Sequence, residues 1–282
     1  MIKILSDSTC DLSPELVERY NVGIIPLHVY LGEEEYLDGK NIFPEKIYEW
    51  SNAMGLTPRT SAPVIEDVIE EFRKYLDQGD ELVVFTISSS MSASFNVCTL
   101  AAETLDATDR VAVIDSENLT TGIGHLVIEA AEMASEGKDL REIEEKMLER
   151  RKKLKSSFVV DTLVFLHRGG RCSGLAAMLG SVLKLHPRIV VENGSMHSDK
   201  KYRGTIDKVI LNYIKDLEDD LRKAKPDRIF ITHSSCSDEF IAKVIAELES
   251  LEHFKEIFVT RTGCVVSSHC GPGTLGILYI EN

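Results

Sequence analysis

Residues 264–276 read Cys264-Val265-Val266-Ser267-Ser268-His269-Cys270-Gly271-Pro272-Gly273-Thr274-Leu275-Gly276. A short β-branched run ends in two serines and a histidine, and a loop with three glycines and a proline follows. Glycine permits positive φ and close backbone approach, whereas proline fixes its own φ, so this loop holds a rigid and unusual path. His269 at its entrance is then either aimed at a ligand or incidental to a tight turn, and the stretch alone leaves both interpretations open.

The glycines of this loop also match the spacing of the dinucleotide-binding fingerprint, as Gly271-x-Gly273-x-x-Gly276. That fingerprint requires a following helix inside a βαβ unit, and an acidic residue about 20 positions later. Only Ile277 to Asn282 follow, and their apolar start is typical of a closing strand. We therefore expect a last strand here rather than a dinucleotide site.

Length and composition favour an ordinary globular protein. The 282 residues suffice for one large or two medium domains, and 43% are hydrophobic while 28% are charged. The net charge of −14 argues against nucleic acid as a partner, because phosphate backbones require a basic surface. No run approaches the ~20 apolar residues of a membrane span, so we expect no stable membrane insertion. The stretch Met1 to Asp7 turns polar too early for a signal peptide, and we expect a cytoplasmic protein.

The cysteines predict thiols rather than disulfides or a metal site. No pair has C-x-x-C spacing, and disulfides are rare in the cytosol. Cys264 and Cys270 flank the segment that contains His269, but the spacing of the three fits no common zinc pattern. Metal is therefore not expected.

Residues 1–156 predict an N-terminal doubly wound α/β lobe with a parallel sheet. Apolar runs at Ile2 to Leu5, Glu81 to Ile87 and Arg110 to Ile114 are typical of buried strands, and amphipathic helical patterns separate them. Each run ends in polar residues, of which Ser88 to Ser94 holds five serines in seven positions. Ligands bind at such carboxyl ends of strands in open α/β sheets.

Residues 157–282 predict a C-terminal α+β lobe with a mixed or antiparallel sheet. Phe158 to Leu166 has a strand-like pattern, and a helix is expected from Ser173 to Lys184. Asn193-Gly194 between strand-like runs is a strong hairpin signal. Since no linker separates the halves, we expect a cleft between two closely packed lobes.

Four polar segments supply hydrogen-bond donors that suit an anion. They contain hydroxyls, an imidazole and guanidinium groups, which are the groups that hold carboxylate or phosphate. Arg171 fits either an anion clamp or a structural hub that bonds carbonyls, and the sequence leaves both open. We predict that all four segments are loops, namely Thr60-Ser61, Ser88 to Ser94, Arg168 to Arg171, and Ser267 to Gly271.

A serine hydrolase is the rival chemical interpretation. Ser92 or Ser94 would be the nucleophile and His269 the base, with Asp7 or Asp115 orienting the imidazole. Against it, no G-x-S-x-G elbow surrounds these serines. A kinase acting alone is also not expected, because the chain has no G-x-x-x-x-G-K-[ST] loop for ATP.

Six short motifs occur in a specific order along the chain: Ser6-Asp7-Ser8, Thr60-Ser61-x-Pro63, Ser88-Ser89-x-x-Ser92, Asp115-Ser116, Gly169-Gly170-Arg171 and His269-x-Gly271-Pro272-Gly273. With these motifs the chain resembles the DegV family over essentially its full length. The resemblance implies a two-lobed α/β protein that buries a long-chain fatty acid such as palmitate in a ligand tunnel between its lobes. It also implies a non-catalytic subunit of a fatty acid kinase, whose separate ATP-binding partner phosphorylates the carboxyl group.

The same resemblance assigns roles to individual positions, with no catalytic residue and no cofactor besides the lipid. Thr60, Ser92 and His269 are similar to the family's carboxylate-holding residues, with Ser61 as a neighbour. Arg171 and Gly271 would lie near the head group, and Arg203 would face the kinase. Ala62 departs from the usual glutamine. Two alternatives stay open, namely a serine hydrolase of lipid esters and a fatty-acid sensor without a kinase partner.

Overall fold

The computed structural model describes residues 1–172 and 185–282, and its first half is built on a parallel sheet. The strand order is β2-β1-β6-β7, and every neighbouring pair is parallel. The strands in this half are β1 (Ile2–Asp7), β2 (Gly23–Ile25), β3 (His28–Leu31), β4 (Glu34–Leu37), β5 (Arg59–Ser61), β6 (Glu81–Thr86) and β7 (Val111–Asp115).

Helices cover this sheet and alternate with its strands, as expected for a doubly wound lobe. Ser13 accepts a hydrogen bond from the Leu16 N–H and caps the first helix, with Pro14 at the first helical position. The helices are α1 (Pro14–Arg19), α2 (Pro44–Met54), α3 (Ile65–Leu76), α4 (Ser94–Thr104), α5 (Thr121–Ser135) and α6 (Leu140–Arg150), with 3-10 turns at Ser8–Cys10 and Arg151–Lys153.

A small antiparallel sheet with the order β4-β3-β5 stands apart from the parallel sheet. Thr60 lies in its strand β5, opposite Val29 of β3. The segment around Thr60, interpreted from sequence as a loop, is therefore partly a strand. Backbone pairing across some 30 residues holds it there, which no local pattern signals.

The second half is built on a six-stranded sheet with the order β10-β9-β8-β13-β11-β12. The pair β11 and β12 is parallel while the other pairs are antiparallel, which confirms the mixed sheet. The strands are β8 (Leu154–Val159), β9 (Leu185–Glu192), β10 (Ser195–Arg203), β11 (Arg228–Ser234), β12 (Glu256–Arg261) and β13 (Thr274–Ile280).

Turn residues account for the hairpin in this sheet. Asn193 and Gly194 both have positive φ, at 49° and 76°, between β9 and β10, as a two-residue hairpin turn requires. The helices of this half are α7 (Val164–Gly169), α8 (Ile206–Leu221), α9 (Asp238–Glu249) and α10 (Cys264–Cys270).

Two segments of this half differ from their sequence patterns, and a third lies outside the described residues. Phe158 to Leu166 is not one strand, because β8 ends at Val159 and α7 begins at Val164. The β-branched run before His269 forms helix α10, so His269 lies in the last turn of a helix, just before the loop that begins at Gly271. The helix expected from Ser173 to Lys184 lies outside the described residues.

The two lobes share one hydrophobic core. Val83 and Ile114 of the parallel sheet belong to the same buried cluster as Phe158 and Val266 of the second half. Helix α5 lies between the sheets, where His125 bonds the Leu278 carbonyl through Nε2 at 3.0 Å. The division expected between residues 156 and 157 stays a prediction, and β8 runs across it. Within the described ranges, no helix has the length and apolarity that crossing a bilayer requires.

Candidate functional site

Helix α10 carries His269, and buried carboxylates of the first half hold the start of this helix. The Cys264 N–H donates to Asp38 Oδ1 at 2.7 Å, and the Gly263 N–H donates to Asp11 Oδ1 at 2.8 Å. Both carboxyl groups are buried, which raises their pKa values. These two aspartates fix the position of the helix across the boundary between the lobes.

At the other end of α10, His269 meets Thr60. Nε2 of the imidazole lies 2.9 Å from Thr60 Oγ1, and the tautomer decides which group donates. The buried Nδ1 has no hydrogen-bond partner among the described residues. Gly169, at the end of α7, lies against this nitrogen, since a Cβ there would come within 2.3 Å of Nδ1. The imidazole is thus confined between β5 and α7.

The imidazole of His269 is neutral at pH 7. Burial is the main cause that lowers the pKa of His269 to about 4, and the nearby charge of Arg171 lowers it further. Part of the residue's surface is exposed, but the ring nitrogens face protein. A neutral imidazole has one donor nitrogen and one acceptor nitrogen. At pH 7 His269 therefore bonds the neighbouring hydroxyl without adding a positive charge to the site.

Ser92 lies in the turn before α4 and is tied to that helix. Its Oγ lies 2.9 Å from Ser94 Oγ and accepts a hydrogen bond from the Ser94 N–H at 3.3 Å. Ser61 is exposed, and its hydroxyl donates to the carbonyl of Ala62 at 3.2 Å. Both serines line the same cavity as Thr60.

Arg171 bonds carbonyl groups and also reaches the cavity. Its Nη1 donates to the Gly169 carbonyl at 2.6 Å, and its Nε donates to the Met91 carbonyl at 3.4 Å. The guanidinium thus joins the turn after α7 to the turn before α4. The structural-hub interpretation is confirmed by these two bonds, and the anion-clamp interpretation stays a prediction for a side chain that lines the cavity.

Gly271 and Arg203 lie outside the cavity lining. Gly271 has φ of 76°, and a Cβ there would come within 2.6 Å of the Phe165 ring, so glycine is required at the turn after α10. It does not appear among the residues lining the cavity. Arg203 is exposed at the end of β10, opposite Leu185 in β9.

A cavity of about 230 Å³ opens beside these groups. Thr60, Ser61, Ser92, Arg171 and His269 supply its polar lining. The remaining lining is apolar except for a thiol, and it comes from both halves of the chain: Leu27, Ala62, Ile87, Met91, Ala93, Leu119, Met196, Val265, Val266 and Cys270. Such a cavity suits a ligand with one polar end and a long apolar body.

The geometry does not form a serine-hydrolase triad. Asp7 accepts hydrogen bonds from Thr9 and from the Ile87 N–H, while Asp115 accepts from the N–H groups of Ser89 and Glu117. Within residues 1–172 and 185–282, no carboxylate bonds the imidazole of His269. The hydroxyl bonded to that imidazole belongs to Thr60 and not to Ser92 or Ser94.

Sequence reasoning missed two kinds of site residue. Asp38 and Asp11 anchor α10, and no local pattern marks them. Gly169 was noticed only as part of a glycine-arginine motif, and its contact with the imidazole depends on the fold. As for metals, the part of the chain that the structure describes holds no group of three or more His, Cys, Asp or Glu side chains arranged to bind one.

Comparison with known proteins gives consistent matches over the whole chain. The model of a family described as an uncharacterised protein of the DegV family matches residues 1–282. A DegV domain-containing protein of Clostridium perfringens is 33% identical, with 99% of this chain and 98% of that protein covered.

Two solved structures show the same fold with fatty-acid binding. A DegV family protein from Thermus thermophilus, described by its fatty acid binding, superposes with a TM-score of 0.91 and 30% identity, covering 100% of this chain and 99% of that one. A stearic acid-binding protein from Eubacterium ventriosum superposes with a TM-score of 0.88 and 28% identity, covering 100% and 98%. The family match over residues 1–282 and these relatives show that this chain belongs to the DegV family.

Proposed function

We propose that this chain binds a long-chain fatty acid such as palmitate in the cavity between its lobes. The observation that carries this proposal is the cavity itself, whose lining combines apolar side chains from both halves with the hydrogen-bonded pair of Thr60 and His269. The carboxylate lies at Thr60, Ser92 and His269, with Ser61 and Arg171 beside it. Fatty-acid binding by the relatives from Thermus thermophilus and Eubacterium ventriosum supports the same ligand class.

Hydrophobic transfer supplies most of the affinity. Each buried CH₂ contributes roughly 0.8 kcal/mol, so an acyl chain binds strongly without much polar chemistry. An ionised carboxylate that leaves water must be paired, because an isolated buried charge is very costly. The polar groups of the cavity therefore decide which way round the fatty acid binds.

The polar end pairs the carboxylate through hydroxyl groups. With a neutral His269, Nε2–H donates to Thr60 Oγ1, and the threonine hydroxyl then donates to the carboxylate. The Ser92 hydroxyl donates a second hydrogen bond. Arg171 adds positive charge at the wall while its own N–H groups hold the carbonyls of Gly169 and Met91.

Organic extraction of the purified protein, followed by mass spectrometry, tests the proposal. The wild type is expected to release a long-chain fatty acid. Thr60→Val keeps the shape of the side chain but removes the hydroxyl, and it should weaken palmitate binding by roughly 10- to 100-fold, the value of a hydrogen bond to a charged group. Ser92→Ala and His269→Ala should weaken it in the same direction.

Matched controls separate this effect from general destabilisation. Ser250→Ala and His253→Ala change the same residue types at positions outside the lining of every cavity described here, and they should keep wild-type affinity. Undiminished lipid in Thr60→Val, Ser92→Ala and His269→Ala together would rule out this head-group site.

We further propose that the protein presents the bound fatty acid to a separate ATP-dependent kinase and has no turnover alone. The resemblance to the family's kinase subunits supports this, and Arg171 and the exposed Arg203 supply the cations that a phosphorylated head group and its kinase require. Lipid-loaded protein with ATP should form acyl phosphate, trapped as a hydroxamate, only when a fatty acid kinase protein is added. Arg203→Glu should reduce that yield without loss of bound lipid.

The same experiments discriminate the two other candidate functions. Lipid binding without any acyl phosphate in the presence of the kinase would favour a fatty-acid sensor. Labelling of Ser92 by a fluorophosphonate probe, together with ester turnover, would favour the hydrolase. The hydrogen bonds of Asp7 and Asp115 to backbone N–H groups argue against that second outcome.

A further inference from the structure

A small chamber of about 20 Å³ adjoins the apolar part of the main cavity. Leu119, Val266 and Cys270 line both spaces and form the partition between them. A chamber of this size has room for one water-sized group. Since Leu119 and Val266 belong to the apolar lining of the main cavity, the chamber adjoins the space that an acyl chain would occupy.

Hydroxyl side chains are frequent in the wall of this chamber, and most of them are already hydrogen-bonded. The exception is Ser156 of β8, which is 5% exposed and whose Oγ has no partner among the described residues. A buried hydroxyl without a partner is rare and needs an explanation, such as a ligand or an ordered water. The paired hydroxyls are Thr120 with Asp11, Ser157 with Tyr213, Thr232 with Thr260, Thr262 with Ser267, and Thr274 with the Cys270 carbonyl.

On its other side the chamber adjoins a polar cavity of about 410 Å³. Ser156, Ser157 and Val191 line both spaces. Charged side chains such as Arg151, Glu117 and Arg188 line the polar cavity, and the Arg151 Nε is also buried without a partner among the described residues. An unsubstituted methyl end that reaches this boundary meets polar groups and gains no further apolar burial.

We propose that the chamber at Ser156 is a subsite for an oxygenated acyl tail, and that the protein prefers fatty acids with a hydroxyl at the end remote from the carboxylate. The inference rests on the proposed fatty-acid binding and adds the class of tail. The terminal hydroxyl accepts from or donates to Ser156 Oγ and is solvated from the polar cavity. The unpaired serine and the adjoining polar cavity are separate observations that favour the same ligand.

A competition experiment tests this subsite. Delipidated protein is mixed with equal amounts of palmitate and ω-hydroxypalmitate, and native mass spectrometry reads the ratio of the two complexes, which differ by one oxygen. The wild type should favour the ω-hydroxy acid by about two- to tenfold, the value of one net hydrogen bond. In Ser156→Ala the ratio of the ω-hydroxypalmitate complex to the palmitate complex should fall to one or below. A ratio within one sample does not depend on the fraction of folded protein.

Two controls keep the test specific. Ser157→Ala removes the neighbouring hydroxyl, which is already bonded to Tyr213, and should keep the wild-type ratio. A palmitate with its hydroxyl at mid-chain should bind less well than palmitate, because that hydroxyl would lie against apolar side chains.

The outcomes separate the two proposals. Palmitate binding with a wild-type ratio of one or below, or with a ratio that Ser156→Ala leaves unchanged, would overturn the subsite and leave fatty-acid binding intact. An unchanged ratio would show that the hydroxyl of the tail does not bind Ser156. Failure of both acids to bind would overturn the proposed function, and the subsite with it.

Discussion

His269 has two properties that suit its proposed role at the carboxylate end of a fatty acid. It is held in place, since Thr60 contacts Nε2 and Gly169 lies against Nδ1. It is also neutral, since burial and Arg171 lower its pKa to about 4. A second fixed cation in an unoccupied cavity would be costly, and a neutral imidazole avoids that cost while it still orients the threonine hydroxyl.

The lowered pKa of His269 makes a prediction about stability and pH. The unfolded chain takes up this proton near pH 6.5, but the folded chain takes it up only near pH 4. Its contribution to stability is therefore complete above about pH 6.5 and is lost as the pH falls toward about 4. In His269→Gln this contribution is absent, so the free energy of unfolding should fall less with acid, by on the order of 3 kcal/mol.

Urea unfolding of the delipidated proteins at about pH 7 and about pH 4 measures this difference. Asp7 acts in the opposite direction, because burial raises its pKa to about 6 and its contribution is lost as the pH rises. Asp7 is present in both proteins, so its effect on the free energy of unfolding cancels when the wild type and His269→Gln are compared. Equal acid dependence in the wild type and His269→Gln would show that the imidazole titrates normally.

Among the elements, α10 shows why part of the site escapes local sequence patterns. Its first residues are Cys264, Val265 and Val266, and β-branched residues favour strands. Gly263 precedes it and offers no side-chain cap. The helix start is held instead by Asp11 and Asp38, which are more than 200 residues away in sequence. Tertiary contacts thus override the local preference.

The contact between α7 and α10 makes a second prediction. Gly169→Ala places a Cβ within 2.3 Å of His269 Nδ1, so the imidazole must move away from Thr60. Palmitate binding should then weaken by roughly 10-fold or more, the value of a lost hydrogen bond to a charged group. Isothermal titration of the delipidated variant measures the change.

Gly170→Ala is the matched control for this substitution. Gly170 has φ of 69°, but a Cβ there meets no atom within 4 Å. The variant should lose about 1 kcal/mol of stability through backbone strain and keep its affinity for palmitate. If both alanine variants bind like the wild type, the imidazole does not depend on Gly169 for its position.

Elements that follow from local patterns were predicted well. The apolar strand β6, the amphipathic helix α3 and the Asn193-Gly194 hairpin all depend on the periodicity or turn chemistry of neighbouring residues. The strand β5 that carries Thr60 has three residues and is defined by its pairing with β3. Its position next to His269 depends on the packing of two lobes, which one sequence does not reveal.

For the whole molecule, the cavity is a gap within a core that both lobes share. Leu27, Ile87 and Leu119 come from the first half, while Met196 and Val266 come from the second. Apolar residues at a cavity have the same sequence pattern as apolar residues in a solid core, so the lining could not be told from the core in advance. Only the polar end, with Thr60, Ser92 and His269, was distinguishable by residue type.

A ligand that contacts both lobes should hold them together, which gives the last prediction. Lipid bound to the native protein alone stabilises it by RT ln(1 + [L]/Kd), about 4 kcal/mol at a thousandfold excess over Kd. Extraction of the lipid should therefore lower the unfolding midpoint by roughly 5–10 °C, and added palmitate should restore it. Differential scanning calorimetry measures both steps. Thr60→Val should show a smaller gain at the same palmitate concentration, since its Kd is higher. A midpoint that does not respond to palmitate in the wild type would show that palmitate does not bind the native protein in preference to the unfolded chain, and it would overturn the proposed function.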